Sequence, residues 1–99
     1  MVIKFKKSDL KGVSSENFLR SAGYFILSDR RSGKTSFARR IYGDRYPRFH
    51  IYLNEKEDEI FFNLHLDQKE VSYRGQSSHS GEYDGRVVEE EASRLKSLL

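Results

Sequence analysis

Two runs of β-branched and aromatic residues, separated by a short charged connector, constrain the fold of this 99-residue chain most strongly. The runs occupy residues 46–53 and 60–68, and the connector between them reads Asn-Glu-Lys-Glu-Asp-Glu. Two such runs around a polar turn are typical of a β-hairpin. We predict two paired strands joined by a four-residue loop, Lys56 to Glu59.

The alternation of side chains predicts the register of this hairpin. Strand residues point to alternate faces, so a correct pairing gathers the apolar residues on one face. That face consists of Phe49, Ile51, Leu53, Phe62, Leu64 and Leu66. The same register sets His50 opposite His65, and Tyr52 opposite Asn63, on the other, polar face. A slip of one residue would bury polar side chains, whereas a slip of two would keep the faces and separate the histidines.

The rest of the chain predicts three further strands and two helices. Strands are expected at 2–7, 24–27 and 35–42, and the run at 24–27 is apolar enough for a well-buried strand. A short helix is expected to begin after a serine cap, Ser14 or Ser15, and to end at Ala22 before a glycine. The C-terminal helix is expected to begin after Asp84 as N-cap. Its apolar residues recur at helical spacing: Val88, Ala92, Leu95 and Leu99.

This order, β-α-β-β-β-β-α, predicts an α+β fold. We expect a mostly antiparallel sheet of four to five strands with two helices on one face. The chain length suits a single domain over residues 1–99. Residues 68–84 form a long polar segment without periodicity, which predicts a loop that is either functional or mobile.

Composition excludes several classes of protein. The chain contains no cysteine, so it has no disulfide, no thiolate metal site and no cysteine nucleophile. No apolar run approaches the roughly 20 residues of a membrane span, and the first residues lack the apolar core of a signal peptide. We therefore expect no membrane association and a cytoplasmic location.

A glycine-lysine-threonine sequence in the middle of the chain invites comparison with a phosphate-binding P-loop. The P-loop requires a second glycine five residues before Gly33, and that position is Ser28. It also leads into a helix, whereas Thr35 leads into a predicted strand. We interpret Gly33 and Lys34 as part of a hairpin turn.

Basic residues are concentrated in the first half of the chain. Residues 29–48 contain seven Lys/Arg against two acids, a net charge of +5, and residues 49–99 carry a net charge of −5. Aromatic residues lie between the basic ones, a composition that suits RNA because arginine binds phosphate and aromatic rings stack on bases. The predicted anion-binding residues are Arg30, Arg31, Lys34, Arg39, Arg40, Arg45 and Arg48.

The predicted αβββα core resembles the topology of double-stranded-RNA-binding domains. That resemblance implies nucleic acid as a partner. The family places lysines at the start of its last helix, whereas this chain has three consecutive glutamates there, at 89–91.

The histidines suggest chemistry. His50 and His65 are expected to be neighbours, Asp67 projects from the same face, and the long loop is able to carry His79 over it. Two imidazoles and a carboxylate bind a metal such as Zn²⁺, or act as base and acid on an ester or phosphodiester. The predicted catalytic residues are therefore His50, His65, Asp67 and His79, and the sequence does not say whether a metal or another cofactor binds.

Three functions follow from these patterns. The first is a binding domain that contacts an anionic partner, RNA above all, through the basic hairpin and the polar face. The second is a small metal-binding or acid–base hydrolase built on the histidines. The third is a structural homodimer formed through the sheet, because Phe61 and Tyr52 are both expected to face outward. The sequence alone does not decide whether the protein is an enzyme.

Overall fold

The computed structural model describes residues 1–28, 35–68 and 80–99, of which 80–84 are described by their backbone alone. In chain order the elements are β1 (Val2–Lys6), a 3-10 helix (Lys7–Leu10), α1 (Ser15–Ser21), β2 (Phe25–Ser28), β3 (Thr35–Arg40), β4 (Arg48–Lys56), β5 (Glu59–Asp67) and α2 (Ser80–Ser97). The five strands form one antiparallel sheet in the order β1-β5-β4-β3-β2. The predicted α+β fold is confirmed.

The central hairpin, β4 and β5, has the predicted register. Ile51 pairs with Leu64, and His50 pairs with His65. The predicted four-residue loop is wrong, because Lys56 pairs with Glu59 and only two residues turn. Glu57, the first of them, takes a left-handed φ of 56°. A positive φ at this position is typical of two-residue hairpin turns, whose twist matches that of the strands.

One face of the sheet packs against both helices. Helix α1 begins where the side chain of Ser14 accepts a hydrogen bond from the backbone N–H of Asn17, as the predicted serine cap requires. It ends before Gly23, whose φ of 101° favours glycine. The buried core draws on strands and helices alike: Ile3, Phe5, Leu10, Phe18, Leu19, Ala22, Tyr24, Phe37, Phe49, Ile51, Ile60, Phe62, Leu64, Val88, Ala92 and Leu95.

Strand β2 corrects the prediction of a well-buried strand. It lies at the edge of the sheet and pairs with β3 alone. Phe25 and Ile26 are exposed, at 37% and 39%. A local apolar run does not reveal its place in the strand order, and an edge strand is covered less than a central one.

Helix α2 corrects the prediction that Asp84 caps the last helix. The helix begins at Ser80 and runs through Gly81 and Gly85. A glycine costs only about 1 kcal/mol in a helix, so turn-like residues do not stop a helix that packing further along stabilises. Val88, Ala92 and Leu95 are buried as predicted. No helix in the described ranges is long and apolar enough to cross a membrane.

A buried polar network fixes α2 to the sheet. The Glu91 carboxylate accepts a hydrogen bond from the Tyr24 hydroxyl at 2.5 Å and two from Arg94, at 2.8 and 2.9 Å. Arg39, from β3, lies 3.4 Å from the same carboxylate. Burial raises the pKa of the Tyr24 hydroxyl well above its usual range, and the hydrogen bond to Glu91 adds to the rise. The network satisfies the charge of a carboxylate inside the core.

Candidate active site

The polar face, the side of the sheet opposite the two helices, brings residues from three strands together. Across β4 and β5, His50 pairs with His65 and Arg48 pairs with Asp67. Across β3 and β4, His50 pairs with Ala38. Residues directly opposite each other in an antiparallel ladder share a face, so these side chains surround His50.

His50 makes a hydrogen bond with each of its ring nitrogens. Nδ1 lies 2.9 Å from Oδ2 of Asp67, and Nε2 lies 2.8 Å from Oγ of Ser36. Both partners are diagonal to His50, one on each neighbouring strand, so the imidazole bridges β5 and β3. The His50 side chain is 12% exposed. Ser36 is also buried.

The hydrogen bond to Asp67 assigns the proton on Nδ1 of His50. An ionised carboxylate only accepts, so Nδ1 of His50 donates to Asp67. In the neutral imidazole Nε2 then has no hydrogen, and it accepts the hydroxyl hydrogen of Ser36. The three groups form a carboxylate–imidazole–hydroxyl chain, the arrangement in which a histidine withdraws a proton from a hydroxyl.

A second donor keeps Asp67 ionised. Burial by itself raises the pKa of this carboxyl, but the hydrogen bonds from His50 and Arg48 outweigh it and hold the pKa below its usual range. Nε of Arg48 lies 3.1 Å from the same oxygen that His50 binds. The guanidinium of Arg48 is 4.8 Å from the centre of the Tyr46 ring, which limits its movement.

His65 pairs with His50 in register but belongs less closely to the site. The Tyr52 ring lies 4.7 Å from the His50 ring and 5.8 Å from the His65 ring, so one tyrosine contacts both imidazoles. Partial loss of solvent around the His65 ring and the nearby ammonium group of Met1 lower the pKa of His65. His65 is therefore neutral at neutral pH and exposed at the edge of the site.

The described part of the chain contains no group of three or more His, Asp or Glu residues that could hold a metal ion. His50 uses both nitrogens within the protein, which leaves no lone pair for a metal unless Ser36 moves. His79 lies outside the described residues, so a metal site that includes it stays a prediction.

The basic residues do not share one surface. Arg39 faces the helices and binds Glu91, and Arg48 binds Asp67 on the polar face. Arg40 is exposed on the polar face, with its guanidinium 5.2 Å from the centre of the Phe25 ring. Arg45 lies in the connector between β3 and β4. Three predicted members lie outside the described residues: Arg30, Arg31 and Lys34.

No family model, curated protein or solved structure matches this chain.

Ser36 is the member of the site that sequence analysis missed. Its strand was predicted, and the pairing of Phe37 with Ile51 places Ser36 on the polar face beside the β4 histidine. The available signal was the alternation of Ser36, Ala38 and Arg40 in β3. This alternation shows which residues of β3 share a face, but not which of them lies beside His50. That depends on the β3–β4 register, which the irregular connector 41–47 does not fix.

Proposed function

We propose that this protein is a hydrolase that cleaves carboxylic esters by acid–base catalysis at His50. One observation carries the proposal: the His50 imidazole is held between the Asp67 carboxylate, at 2.9 Å, and the Ser36 hydroxyl, at 2.8 Å. This geometry leaves the unprotonated Nε2 as a base that is aligned with a hydroxyl.

Asp67 has a positioning role in this proposal. Its carboxylate selects the tautomer of His50 and stabilises the imidazolium that forms when Nε2 takes a proton. The lowered pKa of Asp67 supports this role, because hydrogen bonds from His50 and Arg48 keep the carboxylate charged. The partial burial of His50 strengthens the interaction between the two charges.

Carboxylic esters are favoured over phosphodiesters because the two histidines are not equivalent. A two-imidazole mechanism on a phosphodiester needs one neutral and one protonated ring on the substrate. His50 is already bound by two side chains, and the lowered pKa of His65 disfavours its protonated form. His65 therefore lies at the border of the site and does not transfer the proton. A role of His79 in catalysis stays a prediction.

Hydrolysis of chromogenic substrates tests the proposal. We expect the protein to cleave p-nitrophenyl esters of short carboxylic acids and to leave bis-p-nitrophenyl phosphate intact. His50→Gln should lower kcat/KM for the ester by about 10²- to 10⁴-fold, the usual contribution of a general base. His65→Gln should lower it by less than about tenfold, since that ring does not transfer the proton.

Asn54→Ala is the matched control, because Asn54 is exposed on the same strand and face as His50. Its kcat/KM should equal that of the unchanged protein. No hydrolysis above the buffer rate, or equal rates for the unchanged protein and His50→Gln, would contradict the proposal. Cleavage of the phosphodiester that depends on both histidines would favour the two-imidazole mechanism instead.

RNA binding is the second candidate, and Arg40 supports it. Arg40 lies directly opposite Arg48 in the β3–β4 ladder, where like charges destabilise a sheet. Asp67 pairs with Arg48 and not with Arg40. Among the described residues, no carboxylate pairs with Arg40. A bound phosphate would neutralise Arg40 and so relieve this repulsion, and the Phe25 ring beside Arg40 is exposed for stacking.

Fluorescence anisotropy with a labelled single-stranded RNA tests the second candidate. Binding should weaken as salt is added, and Arg40→Ala should reduce the salt dependence by about one phosphate contact. Arg20→Ala is the control, because Arg20 is exposed on α1 and paired with Glu16. Absence of binding at low salt would end this candidate.

Homodimerisation and a cytoplasmic location both stay predictions. Light scattering across a concentration series tests the first, and fluorescence microscopy of a tagged chain tests the second.

A further inference from the structure

We infer that Ser36 is the nucleophile of this site and that hydrolysis passes through a covalent acyl-serine intermediate. The inference rests on the proposed ester hydrolysis at His50 and adds to it a second catalytic residue and a defined intermediate. It is carried by the 2.8 Å separation of Ser36 Oγ from His50 Nε2, together with the Asp67 bond on the other side of the same ring.

The partner of the Ser36 hydroxyl distinguishes this serine from others in the described part of the chain. The hydroxyls of Ser21 and Ser97 donate to backbone carbonyls three residues earlier, a local way to satisfy a hydroxyl. Ser36 is buried on a central strand and has a histidine as partner, and that histidine is oriented by a carboxylate. A nucleophile, a base and a group that orients the base define an activated serine.

The proposed reaction has two halves. In the first, Nε2 of His50 takes the Ser36 proton while Oγ bonds to the ester carbonyl carbon. The bond from that carbon to the alcohol oxygen then breaks, and the alcohol leaves with the proton from Nε2. In the second half, water gives a proton to Nε2 as its oxygen bonds to the acyl carbon. The bond to Oγ breaks, Oγ regains the proton, and the carboxylic acid is released.

The position of Ser36 also decides what stabilises the carbonyl oxygen in the tetrahedral state. Strand β3 lies between β2 and β4, and Ser36 pairs with Leu27 on one side and Tyr52 on the other. The backbone N–H groups of β3 donate within its ladders with β2 and β4, so the carbonyl oxygen of the substrate needs a side-chain donor. Two neutral side-chain donors lie near Ser36 on this face: the hydroxyl of Tyr52, the residue opposite Ser36, and the amide of Asn63, the residue opposite Tyr52.

Covalent labelling tests the inference without a known substrate. A fluorophosphonate probe forms a bond to an activated serine with loss of fluoride, and peptide mapping by mass spectrometry locates the adduct. We expect one adduct, on Ser36, and none in Ser36→Ala. His50→Gln should slow labelling by about 100-fold or more, because the serine then lacks its base. Ser28→Ala, an exposed serine of β2, is the matched control and should be labelled like the unchanged protein.

The outcomes separate this inference from the proposed function. Labelling elsewhere, no labelling, or labelling of Ser36 that does not depend on His50 would overturn the nucleophile. Ester hydrolysis that persists in Ser36→Ala but is lost in His50→Gln would also overturn the role of Ser36 as nucleophile. His50 would then activate water directly, and the proposed hydrolase function would stand. An adduct on Ser36 that depends on His50, without cleavage of the esters, would support Ser36 as an activated nucleophile and contradict the proposed hydrolysis. Circular dichroism confirms that each variant is folded.

Discussion

Asp67 binds the imidazole of His50 diagonally across the β4–β5 ladder, at 2.9 Å, although the direct partner of His50 is His65. The same carboxylate oxygen accepts a hydrogen bond from Arg48, two residues before His50 on β4. The hairpin alone therefore sets the orientation of the base, whereas Ser36 comes from β3. Base and hydroxyl can be altered separately.

Replacing Asp67 with asparagine should abolish most ester hydrolysis. The side-chain amide of Asp67→Asn can donate to Nδ1 of His50, which would place the imidazole hydrogen on Nε2 and remove the base. We expect kcat to fall by about 10²- to 10⁴-fold with little change in KM. Steady-state kinetics measures this, with Asp58→Asn in the β4–β5 turn as control. An equal loss in Asp58→Asn would contradict the role of Asp67.

Asp67 should also make stability depend on acid pH. Its pKa is lower in the folded protein than in the unfolded chain, so its contribution is complete above about pH 4 and is lost as pH falls through the folded pKa. The difference in free energy of unfolding between the unchanged protein and Asp67→Asn should therefore be largest near neutral pH and shrink towards pH 2. Urea denaturation at several pH values measures it. A difference that stays constant would show that Asp67 does not titrate in this window.

The buried carboxylate of Glu91 should matter more to stability than its exposed neighbour. Glu91 is 4% exposed and accepts hydrogen bonds from Tyr24 and Arg94. Glu91→Ala therefore leaves the Tyr24 hydroxyl without its acceptor and leaves the Arg94 guanidinium with the backbone carbonyl of Ala22 but no carboxylate. We expect a loss of about 3–5 kcal/mol in the free energy of unfolding, measured by urea denaturation. Glu90→Ala is the matched control, because Glu90 is 71% exposed and lies 3.8 Å from Arg86. It should change stability by less than about 0.5 kcal/mol.

Tyr24 should stay protonated at alkaline pH for as long as the protein is folded. Burial and the bond to Glu91 raise its pKa, whereas the unfolded chain ionises near pH 10. Stability should therefore fall as pH rises above about 10, because only the unfolded state releases this proton. Absorbance at 295 nm should show one of the six tyrosines ionising only on unfolding. As pH rises while both proteins stay folded, Tyr24→Phe should give the same increase in absorbance at 295 nm as the unchanged protein, because Tyr24 does not ionise in the folded state. A smaller increase in the variant would mean that Tyr24 ionises in the folded protein and would contradict the prediction.

The sequence determined the central hairpin and its two faces. Alternation of apolar and polar residues along β4 and β5 fixes which residues share a face and puts His50, His65 and Asp67 on the polar one. A slip of two residues would keep these faces, and the structure has the register that pairs His50 with His65. Period-two alternation is local information, so no distant contact was needed. The α1 cap and the buried face of α2 followed in the same way from serine chemistry and helical spacing.

Tertiary structure alone decided which hydroxyl His50 meets and where the other elements lie. Ser36 reaches the site through the β3–β4 register, which depends on packing of Phe37 against the core and not on the connector 41–47. The exposure of β2 follows from its place at the edge of the sheet, and the start of α2 follows from burial further along the helix. Strand order and helix packing join residues that are far apart in the chain, and no local pattern encodes such contacts.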